Sequence, residues 1–416
     1  MLNRMLNRML NRDVLVYIFK VADFKTQIMM LRVSKIFKKS YITDIPLDYF
    51  DKLKNIPKSV IESFTGLETV YDYFGCDLSG MRNTRYLQIS KHSKLQKVDM
   101  PYLTRLQCIF DYKFDFDNNY FPSLETLSQS GYANLNFIEK HKNSLKVLGL
   151  GLYRRDNYAE NVKHDIYNTL EKMTNLTTLN LNTTIEYLPV TLTNLQALQL
   201  LDTHIKNIDF SHYKNICYFR LEESSPINIT NWSQSIVSLC IDYIHSQNLL
   251  ESIIVHTNLQ KLVLTTNNMT NLEFLQYCTN LSHLCLSSED NTDANLDFKY
   301  LTAVTNLNWL SVRGILTIND SHIHYLTKLK TLRIENTFIT DNALVNLQLT
   351  ELFTSSHITD FGIKHMTALE ELYIFSPHIQ NIDSLTNLKY IRVKNNKHIT
   401  SDYLKSLPNR PNFHIE

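Results

Sequence analysis

One spacing of apolar residues returns along most of the 416-residue chain: an apolar residue, two variable residues, an apolar residue, one variable residue and a third apolar residue. The segment LKTLRIENTFI shows it well, because Leu329, Leu332, Ile334 and Ile339 are apolar and polar residues fill most of the other places. Side chains of a strand alternate between two faces, so Leu332 and Ile334 point one way while their neighbours point the other. Each copy therefore predicts a strand with one buried and one exposed face.

The spacing occurs in thirteen copies that stay in register. The first and last openings are 264 residues apart, so twelve steps average 22 residues each. The openings are Leu124, Leu145, Leu176, Leu195, Ile216, Ile236, Leu259, Leu281, Leu307, Leu329, Leu349, Leu369 and Leu388. A further copy opens at Leu103, and weaker ones begin near Leu67 and Leu95. This period and register resemble leucine-rich repeats over about two thirds of the chain.

A single repeat of this kind cannot fold alone. It offers about five framework side chains, each worth roughly 2 kcal/mol when buried, whereas ordering some twenty residues costs about 1–2 kcal/mol each. Stacked repeats share one core and pair their strands, so the resemblance implies an α/β leucine-rich-repeat solenoid with a curved parallel sheet and a helical or irregular convex side.

The family often carries Asn or Cys eight residues after the opening, where the side chain bonds the turn backbone. Several copies place a hydrogen-bonding residue there, whereas two others have Glu289 and Ile315. The polar residues at this position are Thr184, Thr203, Asn267, Thr337 and Asn396. This ladder is therefore expected to be irregular.

Composition excludes several classes of function. With 42 basic and 41 acidic residues the net charge is +1, which predicts neither a nucleic-acid partner nor an anionic membrane surface. Only 8 glycines occur, and the chain has no phosphate-binding glycine motif and no motif typical of a catalytic or metal site. We therefore expect no enzyme activity, no cofactor and no metal. The 6 cysteines lack C-x-x-C spacing, which favours a reduced, cytosolic or nuclear compartment.

The chain begins with MLNR three times over, and its character changes from residue 9, where apolar residues fall at helical spacing. Three short helices are expected before Pro46, and they are too few to form a strong core of their own. The predicted organisation is an arm over 1–8, a helical domain over 9–45, a linker over 46–66, degenerate repeats over 67–123, regular repeats over 124–399 and a C-terminal cap over 400–416.

Residues 9–38, MLNRDVLVYIFKVADFKTQIMMLRVSKIFK, resemble an F-box, with Asn11 in place of the usual proline and Phe37 in place of the usual tryptophan. An F-box followed by leucine-rich repeats implies a substrate-recognition subunit of an SCF-type ubiquitin ligase. The F-box would dock on a Skp-type adaptor that leads to the cullin complex, and the repeats would bind a protein target. The residues that would form or support the docking face are Leu10, Leu15, Ile18, Phe19, Val33 and Lys35.

Two other interpretations remain open. The N-terminal helices could cap the solenoid of a plain interaction scaffold, in which case their apolar residues would pack into the first repeats. A GTPase-activating repeat protein is a third class, and it would need an arginine finger such as Arg313 or Arg333.

The outward strand positions near the C-terminus predict where a partner binds. Five aromatic residues and three arginines occupy them in five neighbouring repeats, whereas the positions near Gly149, Asn180 and Gln199 are small and polar. Aromatic and arginine side chains are enriched in binding hot spots. The predicted partner-binding residues are Trp309, Arg313, Arg333, Phe353, Tyr373, Phe375, Tyr390 and Arg392.

Overall fold

The structure is a computed structural model, and it describes residues 69–72, 82–90, 100–110, 119–131, 133–151, 160–183, 185–201, 203, 205–222, 227–244, 258–266, 271–288, 296–355 and 357–416. The F-box-like segment lies outside these described residues. Its predicted docking residues are Leu10, Leu15, Ile18, Phe19, Val33 and Lys35, and the atypical Asn11 and Phe37 lie in the same segment. Of the predicted turn positions, Thr184, Asn267 and Glu289 are also outside.

The chain divides into two compact units. The first runs to Ile185 and includes Pro189–Leu195, and the second comprises Glu186–Leu188 and Gln196–Glu416.

The first unit is a sheet of parallel strands in sequence order, each paired with the next. Two helices connect its later strands: α1 (Leu135–Lys140) between β4 and β5, and α2 (Glu160–Glu171) between β5 and β6. Asn134 starts α1, since its side chain accepts a hydrogen bond of 3.0 Å from the backbone N–H of Phe137. The strands are β1 (Thr69–Asp72), β2 (Tyr86–Ser90), β3 (Arg105–Phe110), β4 (Thr126–Gly131), β5 (Val147–Gly151) and β6 (Thr178–Asn182).

The second unit continues the same design, again with each strand of the main sheet parallel to the next. Two short strands, β8 and β10, pair only with each other in a separate small sheet. The strands are β7 (Ala197–Leu201), β8 (Asn207–Asp209), β9 (Tyr218–Glu222), β10 (Asn228–Thr230), β11 (Ser238–Ile244), β12 (Lys261–Thr266), β13 (His283–Ser287), β14 (Trp309–Arg313), β15 (Thr331–Glu335), β16 (Glu351–Thr354), β17 (Glu371–Ile374), β18 (Tyr390–Val393) and β19 (Asn412–Ile415).

The connections in the second unit are short and mostly single helical turns. Three are α-helical: α3 (Asp320–Ile323), α4 (Asp360–Ile363) and α5 (Ser401–Ser406). Others are 3₁₀ turns at Phe210–His212, Glu273–Tyr277, Phe298–Ala303 and Asp341–Ala343. A long parallel sheet with few helices is the leucine-rich-repeat fold that the sequence predicts.

The apolar framework forms the core as expected. All thirteen opening residues are at most 2% exposed, and so is Leu103, which opens the copy that contains β3. Strands such as β5 and β9 alternate half-buried and buried residues along their length. One further copy was not predicted, because its opening residue is the fully buried Thr84 rather than an apolar residue.

Asparagines immediately before the opening residue join consecutive repeats. In several T-N-L segments the side-chain amide donates to a backbone carbonyl one repeat earlier, at 2.7–3.2 Å. These donors are Asn175, Asn194, Asn258, Asn306 and Asn387. In the last regular repeat, the residue eight positions after the opening forms the expected hydrogen bonds to the backbone: the side chain of Asn396 donates to the carbonyls of Ser376 and Ile379.

Aspartates on the connections form a second ladder. The carboxylate of Asp320 accepts hydrogen bonds from the backbone N–H and hydroxyl of Thr340, and Asp341 does the same for Thr359. This ladder explains Gly362, because a Cβ there would lie 2.3 Å from a carboxylate oxygen of Asp341.

Candidate functional site

The outward face of the sheet, opposite the leucine core, carries the predicted partner-binding residues in the second unit. Four of its rings contact one another and are called the four-ring cluster: Phe353, Tyr373, Phe375 and Tyr390. Ring centroids are 4.7 Å apart for Phe353 and Phe375, 5.8 Å for Phe353 and Tyr373, and 5.6 Å for Tyr373 and Tyr390. The structure therefore brings four of the five predicted aromatic residues into one patch.

Strand register explains this patch. Phe353 of β16 is directly opposite Tyr373 of β17, and Leu352 and Leu372 beside them fill the core on the other face. Neighbouring parallel strands lie about 4.8 Å apart, which lets rings on adjacent outward positions touch. All four rings are half-buried, so each still presents apolar surface to solvent.

Trp309 lies on the outward face of β14 and belongs to a different group of contacts. Its ring stacks on His283 at 6.3 Å, and the Arg333 guanidinium lies 5.8 Å from its centroid. This cation–π contact places Arg333 between Trp309 and a carboxylate of the next strand.

The three predicted arginines are all paired with carboxylates within the chain. Arg313 lies 3.4 Å from Glu335, Arg333 lies 2.5 Å from Glu351, and Arg392 pairs with Glu416. Exposed ion pairs of this kind add little stability. They do balance the positive charge of these three arginines within the chain.

Tyr373 is held as a hydrogen-bond donor. Partial burial, followed by the hydrogen bond that its hydroxyl donates to Glu371 at 2.9 Å, raises the pKa of Tyr373 to about 12. The phenol therefore stays protonated at any physiological pH and keeps its orientation toward Glu371.

Another part of the outward face forms a polar network around Asp242, called the Asp242 network. Both contacting nitrogens of Arg220 donate to one oxygen of Asp242, at 2.8 and 3.1 Å. The other oxygen accepts from Thr265 at 3.1 Å, and Ser287 donates to Thr265 at 3.0 Å. Arg220, Cys240 and Asp242 occupy outward strand positions. The sequence alone does not predict these contacts, because most of the partners are about 22 residues apart.

Cys240 belongs to this network, and its thiol has low reactivity. Burial, together with the nearby Asp242 carboxylate, raises the pKa of the Cys240 thiol to about 12. A thiol that stays protonated is a poor nucleophile and a poor metal ligand. Val263 lies between Cys240 and Cys285 in the strand register, so the two cysteines are two strands apart, which is too far for a disulfide.

Around Gly149 the outward face of the first unit is small and polar, as the sequence predicts, whereas Ile109 of β3 is 36% exposed. Gly149 is opposite Ser128 on one side and Asn180 on the other, and a Cβ at Gly149 would lie 3.3 Å from the Ser128 hydroxyl oxygen.

Within the described ranges, no group of three or more His, Cys, Asp and Glu residues could hold a metal ion. Among the helices of that part of the chain, none has the length and apolar character required to cross a bilayer.

Comparison with known proteins adds solved structures of the same fold. No protein-family model matches the chain, and no curated protein matches it. An internalin of Listeria monocytogenes is 20% identical over 69% of this chain and 79% of its own, with a TM-score of 0.40. A leucine-rich-repeat protein of Leptospira interrogans is 18% identical over 89% of this chain and 100% of its own, with a TM-score of 0.46. TLR13, solved in complex with ssRNA13, is 14% identical over 85% of this chain and 64% of its own, with a TM-score of 0.49. At these identities the likeness concerns the repeat fold alone, and none of these proteins assigns a partner to this chain.

Proposed function

We propose that this chain is a protein-binding leucine-rich-repeat protein and that the four-ring cluster is the centre of its partner site. The observation that carries the proposal is the contact among four half-buried rings on an outward face whose arginines are already paired. Aromatic rings that are exposed together, with charged groups at their margin, are the usual composition of an interface core and rim.

A protein partner fits this surface better than a nucleic acid does. Binding to a phosphate backbone depends on unpaired lysines and arginines. Here Arg313, Arg333 and Arg392 pair with carboxylates, and the whole chain has a net charge of only +1. The rings therefore favour burial against the apolar side chains of another protein.

The double variant Phe353→Ala/Tyr373→Ala tests this proposal, because both rings belong to the four-ring cluster and contact each other. Partner capture from a lysate, quantified by mass spectrometry, should fall while the circular dichroism spectrum stays unchanged. The matched control is Tyr325→Ala/Phe361→Ala, which removes two aromatic residues that are each 56% exposed and lie outside the strands. Equal loss of capture in the two variants, or loss of secondary structure in the first, would contradict the proposal.

A more specific function rests on the F-box resemblance of residues 9–38, which lie outside the described residues. In this interpretation the chain is the substrate-recognition subunit of an SCF-type ligase, and its chemistry is proximity: a bound target meets a ubiquitin-charged partner. No catalytic residue is then required in the chain. The alternative is a plain scaffold whose N-terminal helices cap the repeats.

A pull-down with a purified Skp-type adaptor separates these two interpretations. Wild type and a Leu15→Ala/Phe19→Ala variant are compared at equal folded concentration. Capture by wild type and loss in the variant supports the ligase role, because an F-box must expose these apolar residues to its adaptor. Absence of capture by wild type leaves the scaffold.

A further inference from the structure

Four carboxylates at the outward face of the second unit share one pairing pattern. Each of these carboxylates forms an ion pair with an arginine on the preceding strand of the main sheet. One repeat therefore supplies the cation and the next supplies the anion. The pairs are Arg220 with Asp242, Arg313 with Glu335, Arg333 with Glu351, and Arg392 with Glu416.

Glu371 departs from this pattern. The preceding strand, β16, presents Glu351 and Phe353 outward and has no arginine. Phe353 stands in the same register column as Arg333, one strand later. Within the part of the chain that the structure describes, no Lys, Arg or His lies at ion-pair distance from Glu371, and its one hydrogen bond comes from the Tyr373 hydroxyl. Glu371 is exposed, so its carboxylate is open to a group from outside.

Aromatic rings lie beside this carboxylate. Tyr390 is directly opposite Glu371 in the strand register, and its ring lies 5.6 Å from that of Tyr373. A cation over an aromatic face beside a carboxylate gains from both contacts. The chain already contains one such arrangement, since Arg333 lies over the Trp309 ring while it donates to Glu351.

We propose that Glu371, Tyr373 and Tyr390 form a binding site for an arginine side chain supplied by the protein partner. The partner's guanidinium would take the role at Glu371 that Arg333 has at Glu351. Arginine fits better than lysine, because its planar group can stack on a ring and donate two parallel hydrogen bonds to a carboxylate. This inference rests on the proposed function, since it names the chemistry of the same partner site.

The test measures binding of fluorescent pentapeptide pools that differ only at the central residue, which is arginine, lysine or citrulline. Citrulline has nearly the same shape as arginine but no charge. We expect the wild-type protein to bind the arginine pool best, and the Glu371→Gln variant to lose about tenfold of that affinity, as expected for a charge-assisted hydrogen bond. The control is Glu370→Gln, which removes a neighbouring carboxylate that pairs with Lys389 and should bind arginine peptides as wild type does.

Equal binding of arginine and citrulline, no binding of any pool, or an unchanged preference in Glu371→Gln would overturn the inference. Partner capture separates this failure from failure of the proposed function. If capture is lost in Phe353→Ala/Tyr373→Ala but the peptide pools show no arginine preference, the partner site stands and the arginine site is wrong.

Discussion

The Asp242 network and the four-ring cluster lie on the same face of the same unit, yet they present opposite chemistry. Beneath both, fully buried leucines fill equivalent places, such as Leu239 under the network and Leu352 under the cluster. Above the core, the network joins polar atoms of β9, β11, β12 and β13 to one another. The cluster joins apolar rings of β16, β17 and β18 and leaves part of each exposed.

This difference shows how one framework serves two purposes. A polar network whose members satisfy one another gains little from a partner, because binding would have to replace bonds that already exist. Rings that stay partly in water gain when another protein covers them. The core fixes where the outward side chains stand, and the chemistry of those side chains is what distinguishes the proposed partner site from the Asp242 network.

The largest expected effect tests whether the framework is indeed the same under both regions. Leu239→Ala and Leu352→Ala should each destabilise the second unit by about 3–5 kcal/mol, because each leaves a cavity in a packed core. Denaturant unfolding followed by circular dichroism would measure both, and the two values should agree to within about 1 kcal/mol. A variant that costs far less than the other would mean that the two regions do not share one core.

The fold follows from the sequence to a large extent, because burial requires the same apolar spacing in every copy. Leu124 and Leu388, at opposite ends of the predicted series, both occupy the core. Thr84 was not predicted as an opening residue, because the spacing requires an apolar residue there, whereas the structure buries a threonine. The asparagine ladder was not predicted either. The asparagine was expected eight residues after the opening residue, whereas Asn306 and Asn387 immediately precede the opening residue of their repeats.

A smaller effect comes from changing one polar atom in each region. Asp242→Asn keeps the shape of the side chain but weakens the bonds from Arg220 and Thr265, so we expect a loss of about 1–2 kcal/mol. Tyr373→Phe removes a hydroxyl that bonds an exposed carboxylate, and its cost should stay below about 0.5 kcal/mol. Both are read from the same unfolding curves, and a larger cost for Tyr373→Phe would mean that the cluster is structural rather than a binding surface.

The partner site was only partly predictable. Its aromatic residues and arginines could be read from the strand pattern, since outward positions follow from register. Their contacts could not, because spacings between openings vary, from 19 residues between Leu369 and Leu388 to 31 between Leu145 and Leu176. The pairing of Arg333 with Glu351 can therefore be recognised only when both strands are aligned. The same alignment is needed to see that no arginine of the preceding strand pairs with Glu371.

Thiol labelling sharpens the comparison at the Asp242 network. At pH 8 the half-buried Cys240, whose pKa is raised to about 12, should react with iodoacetamide more than about tenfold more slowly than the exposed Cys217. Asp242→Asn removes a neighbouring negative charge, so it should lower the pKa of Cys240 and speed its labelling. Peptide mapping by mass spectrometry gives both rates, and equal rates for the two cysteines would contradict this account of the network.

The smallest effect concerns the strand that follows the cluster. Hydrogen bonds and charge from Arg392 and Lys394 lower the pKa of Glu416 to about 2 from an ordinary value of 4.5. A carboxyl whose folded pKa is depressed stabilises the fold above its unfolded pKa, and the contribution is lost as pH falls from about 4.5 toward 2.

Amide hydrogen exchange in β19 (Asn412–Ile415), corrected for the intrinsic effect of pH, should therefore become faster across that range while β12 changes less. The matched control is Glu416→Gln, which has no carboxyl to titrate and should exchange at a rate that no longer depends on this ionisation. If wild type and Glu416→Gln show the same pH dependence, Glu416 does not fasten the last strand, and the rings of the cluster hold that end of the sheet without it.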